Sequence, residues 1–330
     1  MKILIVKLGA IGDVLRTTSI LPGLRKKYPD SLIDWLTASS ASDLLIENPY
    51  LNRVIIWDKH QELDNFYDLV IGLEDDQAVC QFISTLRHKE ILGAYYSDKR
   101  VIYTPSAWFD MSIISRFGLA EANQLKKANQ KSYQQHLAEL LGIGISPYVF
   151  KLHPDEIKWG KEYVASLGFS SGEKILGVNT GAGLRWPQKS WGIEQTIDLI
   201  NRVKKELGIP AMILGGDQEA ERNQLIAKET GMPKAKPQVL RRFGAVINQC
   251  HSLLSSDSLA MHFGIATWKH LTVFFGPTSA AEIELYNLGA KLAPPLPCLV
   301  CYKKSCSIHP NCMESLKVET VFEAVKKGYQ

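Results

Sequence analysis

The first 29 residues, MKILIVKLGAIGDVLRTTSILPGLRKKYP, constrain this chain more than any other stretch. Residues 2–7 form a short, β-rich apolar run, long enough for a strand buried on both faces. Gly9 and Gly12 then bracket a tight turn, and Asp13 follows at once. From Val14 the non-charged residues recur at helical spacing, through Thr17, Thr18, Leu21 and Leu24. The reading is strand, glycine loop, helix, with Asp13 at the helix start and at the carboxyl end of the first strand, the edge where open α/β sheets hold ligands. An aspartate in that place reads in two ways. It is a helix N-cap satisfying orphan N–H groups, or a general base on a rigid loop whose glycines let a substrate approach the backbone.

The alternation continues. Residues 31–37, 53–57, 68–73 and 90–95 read as strands, and 42–47, 76–86 and 133–141 as helices, the last ended by Gly142. Strands alternating with helices imply crossover connections and a mainly parallel sheet. Residues 144–154, with two prolines, read as a linker, giving domains 1–150 and 151–330. The second half repeats the scheme, with strands at 174–179, 211–214, 253–255 and 271–275 and helices at 155–167, 192–207 and 239–249. A terminal helix at 318–327 is expected to pack back on the first domain. Each strand of the second half runs into a loop suited to ligands: Thr180-Gly181-Ala182-Gly183, Gly215-Gly216-Asp217, Asp257-Ser258 and Gly276-Pro277-Thr278-Ser279. Lys189 and Trp191 stand between the first of these loops and its helix. Helix N-termini at one sheet edge bind anions through free N–H groups and the helix dipole, which suits a nucleotide diphosphate. Taken singly, Lys189 reads as a surface lysine, His262 as a satisfied helix-face histidine, Asp257 as a cap, and Trp186 and Trp191 as packing residues.

Several classes fall away. The loop G-A-I-G-D is not G-x-G-x-x-G, and the residues just past the second strand, Thr37 to Ser40, include no acid, so a dinucleotide site is not indicated. No G-x-x-x-x-G-K-[ST] phosphate loop occurs. No D-x-D pair stands at a strand end, so no metal or other cofactor is required. A net charge of +4 does not call for nucleic acid and suits an anionic substrate or lipid surface. No apolar run approaches the ~20 residues that span a bilayer, and the start shows no signal-peptide pattern, so a cytoplasmic protein is expected. Lys99, Arg100, Arg116, Lys126, Lys127 and Lys131 crowd residues 97–135, mostly as a solvated surface; their functional reading is a cationic rim for an anionic acceptor. Six cysteines in a cytoplasmic chain are reduced thiols or metal ligands. Cys298, Cys301, Cys306 and Cys312, spaced C-x2-C-x4-C-x5-C around His309, suit a structural zinc or iron site as well as plain thiols.

KLGAIGDVLRTT, TGAGLRWPQKSW, LGGDQEAE, SSDSLAMHFGIAT and FFGPTS, in that order from end to end, resemble the motifs of glycosyltransferase family 9, the lipopolysaccharide heptosyltransferases. The resemblance implies a GT-B fold: two Rossmann-like α/β domains with mainly parallel sheets facing across a cleft, acceptor on the first and donor on the second. It implies inverting transfer of L-glycero-D-manno-heptose from ADP-heptose to the lipopolysaccharide inner core, Kdo-lipid A or its heptosylated form. The protein would work as a monomer touching the inner membrane surface transiently. Asp13 becomes the base, on a loop with Gly9 and Gly12, and Lys189 neutralises the donor phosphates. Thr180, Gly181, Asp217, Asp257, Ser258, His262 and Thr278 line the donor site. Leu259 stands where the family usually has glycine, narrowing the approach to the nucleotide. The alternatives are a family member with a protein acceptor or another nucleotide sugar, and a non-catalytic sugar-nucleotide-binding protein.

Overall fold

The computed structural model describes residues 1–183 and 187–330. Its first strand, β1 (Lys2–Val6), buries Ile3, Leu4, Ile5 and Val6 completely. Four consecutive buried side chains require strands on both sides and cover on both faces. β1 pairs in parallel with β2 (Leu32–Thr37) and, on its other side, with the strand Phe66–Gly72. With β3 (Arg53–Ile56), Phe66–Gly72 as β4, β5 (Arg87–Ser97) and β6 (Arg100–Tyr103), the sheet order is β3-β2-β1-β4-β5-β6. The order reverses beside β1, so the β1 and β4 loops diverge there and leave room for a ligand.

Only β6 is antiparallel, joined to β5 by Asp98 and Lys99, both left-handed (φ 50° and 60°). That backbone is the one hairpins prefer, built here without the usual Asn-Gly. Gly93 on β5 has φ +97°, and a Cβ there would stand 2.0 Å from the Gly72 carbonyl oxygen, so only glycine lets β4 and β5 pair at this point.

The second sheet is wholly parallel: β7 (Leu176–Asn179), β8 (Ala211–Leu214), β9 (Ser252–Ser256), β10 (His270–Phe274) and β11 (Gly289–Leu292), in the order β11-β10-β9-β7-β8. The helix Ile193–Leu207 lays Leu199, Ile200 and Val203 on one face of it. The terminal helix Val318–Lys327 buries Val321, Phe322 and Val325 in that same core. Its apolar stripe is therefore spent in the second unit, which corrects the expectation that it packs on the first.

The chain divides into two compact units, Met1–Lys151 with Ala281–Glu284, and Leu152–Ala280 with Leu285–Gln330. The tetrapeptide 281–284 belongs to the first unit although the sequence places it in the second half; the Tyr133 N–H donates to the Glu282 carbonyl at 3.0 Å. Among the described residues, no helix is long and apolar enough to cross a membrane.

Candidate functional site

In the first unit the site grows from the ends of β1 and β4. Glu74, two residues past β4, gathers the loop that follows β1. Its Oε1 accepts from the Leu8 N–H at 2.6 Å and the Gly9 N–H at 3.2 Å, and lies 3.0 Å from the Lys7 ammonium. Lys7 is buried and also donates to the Leu73 carbonyl at 3.2 Å. Burial alone would lower the Lys7 ammonium, but Glu74 and Asp13 together hold it above its ordinary range. Sequence reading passed over Glu74 because an acid after a strand carries no pattern of its own.

Asp13 sits inside the helix Ile11–Thr17, whose N-cap is Ala10. The cap reading therefore fails. Asp13 is the third residue of the first turn, where a carboxylate suits the positive end of the helix dipole. Its Oδ1 lies 3.1 Å from Arg16 Nε, and its side chain is 34% exposed against 10% for Arg16. The Arg16 guanidinium lies over the rings of Tyr133 (4.0 Å) and Trp108 (5.4 Å). Burial disfavours that charge, yet Asp13 and Tyr133 hold the group above its usual value. A half-open carboxylate is thus oriented by a cation that rings fix from behind.

In the second unit the expected loops do converge on the carboxyl edge of the sheet. Gly181, Asp217 and Ser258 line one hollow of about 330 Å³ with Gly183, Gly216 and Leu259. Leu259, the residue expected to narrow the nucleotide's approach, forms part of its wall. The hollow also takes in Pro237, Gln238 and Phe243, none of which the sequence singled out. Glu219 reaches across its floor: its Oε2 accepts from the Gly216 N–H at 2.8 Å, and a Cβ on Gly181 would meet its carboxyl carbon at 2.3 Å.

Beside Ser258 lies a buried polar cluster. Lys189 Nζ donates to Asp257 Oδ2 at 2.8 Å and to the Asp257 carbonyl at 3.0 Å, while the Thr278 hydroxyl donates to the same Oδ2 at 2.7 Å. Burial would push the Asp257 carboxyl up, but Lys189, His262 and Thr278 outweigh it and hold the group ionised below the usual range. The Lys189 ammonium has a third N–H beyond these two bonds.

Thr180 departs from expectation. Its hydroxyl points inward to Asn223 Oδ1 (2.5 Å), and its N–H bonds the Leu214 carbonyl, so it pins β7 to β8 and its neighbouring helix. The loop is shaped instead by Asn179, whose side-chain amide donates to the Gly181 carbonyl at 2.7 Å and to Ser258 Oγ at 3.2 Å. Trp191 is buried with its indole N–H on the Leu316 carbonyl, in keeping with packing. Trp186 lies outside the described residues.

Cys298, Cys301, Cys306 and Cys312 line one small cavity and carry free thiols. Among the described residues no three His, Cys, Asp or Glu are grouped so as to hold a metal ion. The four thiols in this arrangement do not fit a tetrahedral site, and no step below runs through a metal.

No family model matches the chain. Lipooligosaccharide heptosyltransferase 2 of Haemophilus ducreyi is 25% identical over 316 residues, covering 84% of each protein. A family 9 glycosyl transferase structure from Veillonella parvula superposes with a TM-score of 0.77 at 18% identity, covering 99% of this chain and 96% of its own. The chain is thus similar to a lipooligosaccharide heptosyltransferase along most of its length and shares the fold of a family 9 glycosyl transferase. The structure of Escherichia coli ADP-heptose lps heptosyltransferase II is similar too, with a TM-score of 0.68 at 17% identity over 99% of this chain and 98% of its own. These likenesses run through both units, so the chain has the two-sheet fold of these GT-B structures.

Proposed function

We propose that this protein is an inverting heptosyltransferase. It moves L-glycero-D-manno-heptose from ADP-heptose to the lipopolysaccharide inner core, Kdo-lipid A or heptosyl-Kdo-lipid A, at the inner face of the cytoplasmic membrane. The relatives' names support heptose as the sugar and ADP as its carrier. One observation carries the chemistry: each unit brings a different half of the reaction to a sheet edge. The first offers a carboxylate oriented by a buried cation, and the second an open hollow beside a buried Lys189–Asp257 pair.

The acceptor hydroxyl attacks the anomeric carbon from the face opposite the diphosphate. Its oxygen forms the new glycosidic bond as the carbon–oxygen bond to ADP breaks, and the configuration inverts. Asp13 accepts the hydroxyl proton, and negative charge collects on the departing phosphate. The remaining Lys189 N–H answers that growing charge and favours the transition state over the bound donor. Asp257, kept ionised, accepts hydrogen bonds from sugar hydroxyls, and the Asp217 carboxylate does so from the donor across the hollow.

Transfer from ADP-heptose to Kdo-lipid A tests this reading. Asp13→Ala is expected to abolish turnover while ADP still binds with parental affinity. Normal turnover by that variant would overturn the assignment of the base.

A further inference from the structure

Three large apolar side chains stand in water within seven residues: Ile113 (72% exposed), Phe117 (52%) and Leu119 (62%). They occupy the turn between the short helix Ala107–Asp110 and the start of the helix Leu119–Ala128, in the first unit. Other exposed apolar residues are scattered along the chain, which is ordinary; three in one turn is not. Helix propensity does not explain them. The helix Leu119–Ala128 buries only Ala122 among its ten residues and begins after Gly118 (φ 82°) with no side-chain cap.

The segment itself carries more cations than anions, with Asp110 and Glu139, just outside it, pairing with two of the cations. Between Ile113 and Lys131 there are four basic residues, Arg116, Lys126, Lys127 and Lys131, against the single acid Glu121. Arg116 and Lys131 are each paired, with Asp110 and Glu139, which steadies them but leaves both half-exposed. The Arg116 guanidinium lies 4.8 Å from the centre of the Phe117 ring, so a cation and an aromatic are presented side by side. An apolar tip edged by cations is the arrangement that enters the boundary between lipid headgroups and acyl chains. The rings and branched chains go below the phosphates and the cations stay among them. A folded protein partner would instead ask for a broader, less charged core to the patch.

We propose that residues 113–131 dock the first unit on an anionic phospholipid bilayer, with Ile113, Phe117 and Leu119 inserted and Arg116, Lys127 and Lys131 on the headgroups. The proposal deepens the membrane-face reading by naming the surface, and it rests on that reading only for which bilayer is met.

Co-sedimentation of the full chain with vesicles tests it, using phosphatidylglycerol–phosphatidylethanolamine vesicles beside pure phosphatidylcholine ones, with no lipid A present so that acceptor binding cannot stand in for docking. The parent is expected to partition onto the anionic vesicles, to leave the neutral ones, and to be released by salt. Phe117→Ser/Leu119→Ser is expected to weaken partition at least about tenfold, and Lys127→Glu by roughly tenfold or more. Because these positions are exposed, the melting temperature and ADP affinity stay at parental values, which separates failed docking from misfolding and from a wrong donor assignment. Equal partition of parent and double variant, or a parent that stays in the supernatant with both vesicle types, overturns the proposal. So does concentration-dependent self-association, lost in the double variant, in a chain that ignores vesicles, since it gives the patch to a second copy.

Discussion

Removing Glu74 provides a quantitative test of how the Asp13 loop is held. In Glu74→Ala the Lys7 ammonium, whose side chain is 10% exposed, keeps only the Leu73 carbonyl and the more distant Asp13 charge. Two N–H groups, of Leu8 and Gly9, lose their acceptor as well. Breaking a buried pair by deleting one partner costs about 3–5 kcal/mol. Glu74 is itself 12% exposed, which places the cost near the low end, about 3 kcal/mol. For a unit of this size that lowers the melting temperature by about 6–12 °C. Calorimetry of the full chain reads it, with ADP affinity as the control: the second unit contains none of these contacts, so ADP binding is expected to be unchanged. The double variant Lys7→Met/Glu74→Leu removes both charges and recovers most of the loss, leaving about 1 kcal/mol for the two amide groups. A single variant within about 1 kcal/mol of the parent, or a double variant no better than the single, would refute the reasoning.

Three further expectations concern the second unit and the cysteines. Lys189→Met leaves Asp257 buried without its cation; a stability loss of about 3 kcal/mol together with weaker ADP binding is expected by denaturant titration and calorimetry. The Asp257 carboxyl is held below its ordinary value of 3.8, so its contribution is complete above about that pH and is lost as pH falls through the lower, folded-state value. Thermal melts taken downward from about pH 6 should therefore show a loss of stability below the ordinary carboxylate range in the parent that is smaller in Asp257→Asn. Burial pushes the Cys80 and Cys250 thiols up to about 12. Iodoacetamide at about pH 8 should leave both intact in the native protein while labelling Cys298, Cys301 and Cys306, as peptide mass spectrometry will show.

The strands were legible where burial on both faces writes a continuous apolar run, as in residues 2–7 and 211–214. They were not legible where pairing rests on backbone geometry. β6 follows a turn made by Asp98-Lys99, and nothing in those residue types announces a left-handed pair. β11 has only half-buried and exposed side chains, and the alternation of Gly289–Leu292 over four residues is too short and too weakly apolar to stand out. At the site, the glycine loops and acids could be read because loops at sheet edges carry distinctive residues. Glu74, Asn179 and Asn223 could not, since each acts through a tertiary hydrogen bond across at least 43 residues for Asn223 and 65 for Glu74, or through a loop carbonyl two residues on. Thr180 shows the converse error. A hydroxyl on a glycine loop looks like a ligand group until its partner on a distant helix is known.

The four residues 281–284 make the two halves of the sequence poor cassettes. Glu282 holds the Tyr133 backbone and adds its charge to the surroundings of Arg16, the cation that orients Asp13. A chimaera spliced at Lys151, taking its later residues from a similar protein, would import a foreign neighbour for the Arg16–Asp13 pair. Swapping the second unit thus alters the first one too, unless residues 281–284 travel with the front of the chain.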